Sequence, residues 1–279
     1  MRKCPKHALV LLFALVAGGC RDLSVMEVVS DLGTGAGSGV ITLGERAIMP
    51  SGWITDASAV FQREAPQPMY PCSTQTLAGG CTATTCTQIL DLGTTPVVIP
   101  VNAGVISVTG GASALSFSPS PDDNTYSPSG SPMNLWAGGE MLTASSMGGV
   151  GAPPFAVALT APAAVTITAP TGTVTLTSGQ DLVLSTTATD PIRVGYEYVD
   201  PAATPTTTLD VACVLTASNG KLTFPAAALA EVPAGKHLTI AATTTATATT
   251  TVGMWTIAMT ATANAAFPGG NNGVSVTVQ

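Results

Sequence analysis

Apolar and polar positions alternate along most of this chain from residue 39 onward. Short runs of Val, Ile, Leu and Thr recur, cut by Gly, Pro, Asn and Asp, and helical periodicity over ten or more residues is almost absent. That pattern predicts an all-β fold. In the first half it places strands at 39–43, 57–62, 88–92, 96–99, 105–109, 114–117, 140–144 and 155–159. The connections at 63–87 and 118–139 are long, and loops of that length are functional or stapled.

The second half alternates more cleanly. Strands are expected at 165–168, 173–177 and 182–187, with a turn at 178–181. Over 193–199, Val194, Tyr196 and Tyr198 share one face and Arg193, Gly195 and Glu197 the other, the period of a half-buried strand. Val211, Cys213 and Leu215 share a face, and Asn219-Gly220 gives a tight turn into Leu222 and Phe224. Residues 225–231, opening on Pro225, read as one helical turn. Leu238 and Ile240, then Trp255, Ile257, Met259 and Ala261, then Val274, Val276 and Val278 mark the last strands. So many short strands in so short a stretch suit a sandwich.

Composition narrows the class. Of 279 residues 46% are hydrophobic and only 9% charged, so the chain is not a disordered one. Nine basic residues in the whole chain cannot build the positive footprint of a nucleic-acid binder.

The first residues read as an export signal rather than fold. Arg2, Lys3 and Lys6 precede ten apolar residues at 8–17, and Ala17-Gly18-Gly19 leads into Cys20. Ten apolar residues are too few to span a bilayer, which takes about 20. The junction resembles the lipobox of bacterial lipoproteins, although Ala17 stands where that family usually has Leu. The resemblance implies cleavage before Cys20 and a diacylglycerol on its thiol, so the membrane becomes a partner through acyl chains alone. Arg21 after Cys20, by analogy with lipoprotein sorting in enteric bacteria, points to the outer membrane. The chain from Cys20 carries sixteen acids against six bases, a formal charge of −10, with the acids spread rather than in runs. That suits a domain facing outward, not one adsorbed on anionic lipid.

Four cysteines remain beyond Cys4 and Cys20: Cys72, Cys81, Cys86 and Cys213. A zinc site is disfavoured, because no Cx2C spacing occurs and the mature chain has one histidine. Disulfides suit an exported chain. Three pairings are open, with at least one bond expected inside 72–86; Cys213, in a strand pattern, either joins a pair or stays a buried thiol.

Four segments follow: a signal peptide at 1–19, a tether at 20–37 with a flexible exit through Gly33, Gly35, Gly37 and Gly39, an N-terminal β-sandwich at 38–160, and a C-terminal one at 161–279. The stretch VTITAPTGTVTLTSGQDLVLSTTATDPIRVGYEYVD (165–200) resembles the opening of bacterial immunoglobulin-like domains. That resemblance implies an immunoglobulin-like sandwich for the C-terminal segment, without the Cys…Trp…Cys core of antibodies. The lipobox, the loop cysteines and the stretches 134–145 and 224–235 also resemble outer-membrane lipoproteins of large-genome Gram-negative bacteria, which implies a location.

Catalytic chemistry is sparse. His237 is the one mature histidine, it sits at a strand start beside Lys236, and no G-x-S-x-G elbow occurs. Asp122 and Asp123, in a Pro/Ser-rich loop, are weak calcium ligands and better turn formers. Asp190, Glu197 and Asp200 surround one strand as a solvated edge. Trp136, flanked by turn residues, could stack on a sugar but reads better as a core plug, and Trp53 is similar. TTTATATTT (243–251) reads as an exposed strand and loop, and flat threonine arrays can bind a repeating surface. The expectation is a non-catalytic, lipid-anchored surface protein without a cofactor, presenting loops to a protein or glycan. The alternative is a carbohydrate-binding module or an envelope hydrolase.

Overall fold

Branching at Cβ makes Val, Ile and Thr favour extended backbone, and this chain uses them in strand after strand. The computed structural model describes residues 36–47, 53–63, 72–87, 99–129, 134–200, 203 and 206–279. Cys20, the signal, nearly all of the tether and the strand expected at 88–92 lie outside them. In chain order the strands are β1 (Gly37–Ala47), β2 (Trp53–Arg63), β3 (Cys72–Leu77), β4 (Cys81–Thr87), β5 (Ile99–Pro100), β6 (Ile106–Thr109), β7 (Leu115–Pro119), β8 (Tyr126–Ser129), β9 (Met141–Ser146) and β10 (Phe155–Thr160). The second half adds β11 (Ile167–Ala169), β12 (Val174–Leu176), β13 (Leu182–Thr186), β14 (Ile192–Asp200), β15 (Thr207–Leu215), β16 (Lys221–Phe224), β17 (His237–Val252), β18 (Trp255–Asn264) and β19 (Val274–Val278), with one helical turn, α1 (Ala226–Leu229).

Two sandwiches result, each around its own core. In the C-terminal one, β11-β13-β16 face a sheet ordered β12-β19-β17-β14-β15. Taking β11, β13 and β16 as A, B and E, and the facing strands as A′, G, F, C and C′, the connectivity is that of an immunoglobulin-like sandwich. Leu182, Leu184, Leu222 and Phe224 meet Val194, Tyr196, Val211, Ile240 and Val276 between the sheets. The Tyr196 hydroxyl, buried, donates to the Ala228 carbonyl at 2.6 Å and ties strand C to α1. Asp181 Oδ1 accepts from the Ala226 amide at 2.8 Å at the start of that turn.

The other sandwich sets β10-β9-β6-β7-β8 against β17-β18-β1-β2-β5. Its core holds Ile41, Leu43, Ile106, Phe117, Leu142, Val157 and Ile257. Phe61 sits among aromatics, with ring centres 5.4 Å from Phe155, 5.6 Å from Tyr126 and 6.4 Å from Trp255. Burying a side chain of this size contributes about 1.5–3 kcal/mol.

The expected boundary at 160/161 does not separate the two cores. The connection expected at 63–87 contains the hairpin β3–β4, which extends the C-terminal sheet by pairing β4 with β15. In return β17 and β18 cross into the N-terminal sandwich, where β18 runs parallel to β1. Residues 243–251, expected as strand and loop, are one uninterrupted stretch of β17. The physical reason is length. A sixteen-residue strand outruns one core, so its first part pairs with β19 and its last part with β18. The connection at 118–139 likewise contains β8.

Gly37 and Gly39 are not a flexible exit. Both lie in β1, where a Cβ would collide with the rings of Trp255 and Phe61 respectively. Glycine is required there by close approach of the backbone to aromatic rings.

Candidate functional site

The inward phase of β18 is Trp255, Ile257, Met259, Ala261 and Ala263, all buried. Its outward phase is therefore Thr256, Ala258, Thr260 and Thr262. The same logic turns Thr245, Thr247, Thr249 and Thr251 of β17 outward, then Ser38, Val40, Thr42 and Gly44 of β1, then Asp56, Ser58, Val60 and Gln62 of β2. Register aligns them into rows. Thr247, Thr260, Thr42 and Ser58 form one, flanked by Thr249, Ala258, Val40 and Val60 on one side and Thr245, Thr262, Gly44 and Asp56 on the other. A fourth row is Thr251, Thr256, Ser38 and Gln62. Hydroxyls pair across strands, Thr245 with Thr262 and Thr247 with Thr260, each at 3.3 Å. With strands about 4.8 Å apart and same-face residues about 6.7 Å apart, the four rows cover roughly 15 by 20 Å. Such a face offers hydroxyl donors and acceptors with methyl groups between them, and little charge.

Of this face the sequence singled out only 243–251. The alternation of Trp255, Ile257 and Met259 was the signal that Thr256, Thr260 and Thr262 point the other way. What no local pattern supplies is the parallel pairing that sets β1 beside β18.

A second cluster surrounds Trp136. The ring is 3% exposed, its Nε1 donates to the Pro162 carbonyl at 2.9 Å, and its backbone amide donates to Glu45 Oε1 at 3.0 Å. Trp136 is thus a core plug and not a sugar platform. Burial pushes the Glu45 carboxyl above its ordinary value, the amides of Trp136 and Leu135 pull it back, and the charge of Glu140 pushes it up again. Glu140 accepts from the amides of Ala137 at 2.8 Å and Gly138 at 2.6 Å, and these bonds hold its carboxyl below the ordinary value. The two carboxylates hold the 135–139 turn between them. Both were missed in sequence, although Glu45 is in phase with the inward Ile41 and Leu43.

The other expected residues are dispersed. Asp123 Oδ1 accepts from the amide of Thr125 at 3.0 Å and its hydroxyl at 2.8 Å, which closes a turn and holds the carboxyl low. Among the described residues no three His, Cys, Asp or Glu gather to hold a metal. His237 is exposed at the start of β17, with Nδ1 2.7 Å from the Thr277 hydroxyl. Glu197 stands opposite Asp210 across the β14–β15 ladder, and Asp210 pairs with Arg193 at 3.1 Å. Asp190 lines a shallow cleft with Pro162 and Thr244, where it is the single carboxylate among the lining residues.

The cysteines form Cys72–Cys86 and Cys81–Cys213. One bond lies inside 72–86 as expected. Cys213 is buried but not a free thiol: β4 and β15 place it directly opposite Cys81. That bond closes a separation of 132 residues and staples the borrowed hairpin to the immunoglobulin-like sheet. Two disulfides fit an oxidising, extracytoplasmic compartment. Among the described residues no helix is long and apolar enough to cross a membrane.

No protein-family model matches the chain, and no curated protein matches its sequence.

Proposed function

We propose that this is an exported, lipid-anchored protein of the bacterial outer membrane with a non-catalytic, adhesive or ligand-presenting role. The observation that carries the role is the threonine- and serine-rich face on β17, β18, β1 and β2. It lies on the sheet that joins the two sandwiches, so its geometry is fixed before any partner arrives, and preorganisation lowers the cost of binding. A hydroxyl-rich, nearly uncharged surface suits a glycan or a polar, neutral protein surface. Anchoring is supported by the lipobox-like Ala17-Gly18-Gly19-Cys20, and export by the disulfides.

The test is a double variant, Thr42→Arg with Thr247→Arg, in whole-cell adhesion and polysaccharide pull-down assays. Binding falls at least tenfold while thermal unfolding stays within a few degrees of the parent. Unchanged binding would remove the face from the proposal. Turnover of peptidoglycan, polysaccharide or ester substrates, lost in His237→Ala, would replace it with an enzyme. Cys20→Ala tests the anchor: the variant leaves the membrane fraction, and retention there with a bare wild-type Cys20 by mass spectrometry would count against lipidation.

A further inference from the structure

We infer that the tip formed by residues 147–154 and the β17–β18 turn rests on the lipid bilayer that carries the anchor. The inference builds on the lipid-anchor reading above. The tip is apolar and open. Met147 is 91% exposed, Val150 68% and Met254 59%. Val150, Pro153, Pro154 and Met254 line one concave surface of about 680 Å³. Neither 147–155 (MGGVGAPPF) nor 252–255 (VGMW) contains a charged residue. Exposed apolar groups clustered in this way mark an interaction surface.

The chain's own path identifies the occupant. β1 begins at this tip, where the Gly37 amide donates to the Met254 carbonyl at 3.2 Å. Sixteen residues separate Gly37 from Cys20. The far end of β17, at His237, lies about 50 Å further off, at roughly 3.3 Å per residue over the strand. The chain that leads back to an acylated Cys20 therefore leaves the fold at this tip, and the α1 end lies at the opposite end of β17 from that point.

Arg63, only 5% exposed, braces the tip from inside: an η nitrogen donates to the Gly151 carbonyl at 3.0 Å, with its guanidinium carbon 5.9 Å from the Trp255 ring centre. The α1 end is polar instead, with Asp181 bonded to the Ala226 amide, Glu231 accepting from Gln75 at 2.8 Å, and exposed Lys236 beside His237. Met and Val side chains at the opposite tip gain from entering the interfacial zone.

The test uses full-length lipidated protein in vesicles of phosphatidylethanolamine and phosphatidylglycerol carrying headgroup nitroxides. Single cysteines in Val150→Cys, Met254→Cys and Lys236→Cys take an environment-sensitive fluorophore. Quenching at 150 and 254 exceeds that at 236 at least threefold. Flotation with the vesicles but equal quenching at all three positions would overturn the orientation alone. Failure to float would remove the anchor and the orientation with it. Energy transfer between labels at 254, without lipid quenching, would show a second copy on the tip and overturn the proposal.

Discussion

The immunoglobulin-like sandwich draws nearly all its strands from consecutive sequence, with partners close along the chain, such as β14 with β15 and β13 with β16. Its neighbour is gathered from three places: 37–63, 99–160 and the β17–β18 hairpin. The first is locked covalently to a distant hairpin. The second is locked by aromatic packing around Phe61 and by strands that belong to its partner. A core built from local contacts needs a staple only for what it borrows. A core built from remote segments depends on each loan.

That contrast can be broken experimentally. The largest effect is expected for Cys81→Ala with Cys213→Ala, because opening a closure of 132 residues costs roughly 5 kcal/mol in the chain-entropy model. Chemical denaturation under non-reducing conditions would measure it, and a loss no larger than for the other disulfide would deny the hairpin its stapling role. Phe61→Ala should cost about 3–5 kcal/mol, with hydrogen-exchange protection falling in β6 and β9 before β13 and β16; uniform loss would mean that the two cores unfold as one. Cys72→Ala with Cys86→Ala opens a closure of only 14 residues and should cost about 3 kcal/mol or less, read in the same denaturant series.

The smallest effect is one of pH. Burial raises the Glu45 carboxyl above its ordinary value of 4.5, so its ionised form opposes folding as pH rises through and above that value. Glu45→Gln should therefore gain stability relative to the parent between pH 4 and 7. Glu140, held low by amide bonds, has the opposite sign: its contribution is present above the ordinary value and is lost as pH falls through its folded value. Glu140→Gln should lose stability at pH 7 and match the parent in acid. Parallel pH profiles for parent and variants would refute both assignments.

Legibility in the sequence follows the same division. Alternation at 193–199 and 255–261 revealed β14 and β18 because each buries one face only. The hairpin at 72–87 stayed hidden because β3 sits at a sheet edge with both faces largely exposed, so CSTQTL shows no apolar phase. Its turn did carry a signal, since Gly79 and Gly80 both adopt φ of 76°, the backbone that hairpin turns require. Trp136 was legible as a core plug, but nothing in its flanking glycines named what would bury it. The acceptors that bury it, Glu45 and the Pro162 carbonyl, lie 91 and 26 residues away. The threonine-rich face was half legible, through β17 and the phase of β18, while its rows needed a parallel register that no local pattern encodes.

Parallel pairing also sets how the molecule carries load. Residues Gly37 to Glu45 of β1 are matched in register with Trp255 to Ala263 of β18, while β2 flanks β1 on its other side. A pull on the chain ahead of Gly37, directed along the strand, slides β1 lengthwise against both neighbours. The hydrogen bonds of the two ladders are then strained together in shear, not opened one after another from an end. Traction from the N-terminus meets a mechanical clamp at the first strand, and in single-molecule stretching the rupture of β1 should register as one high-force event instead of a staircase of small ones.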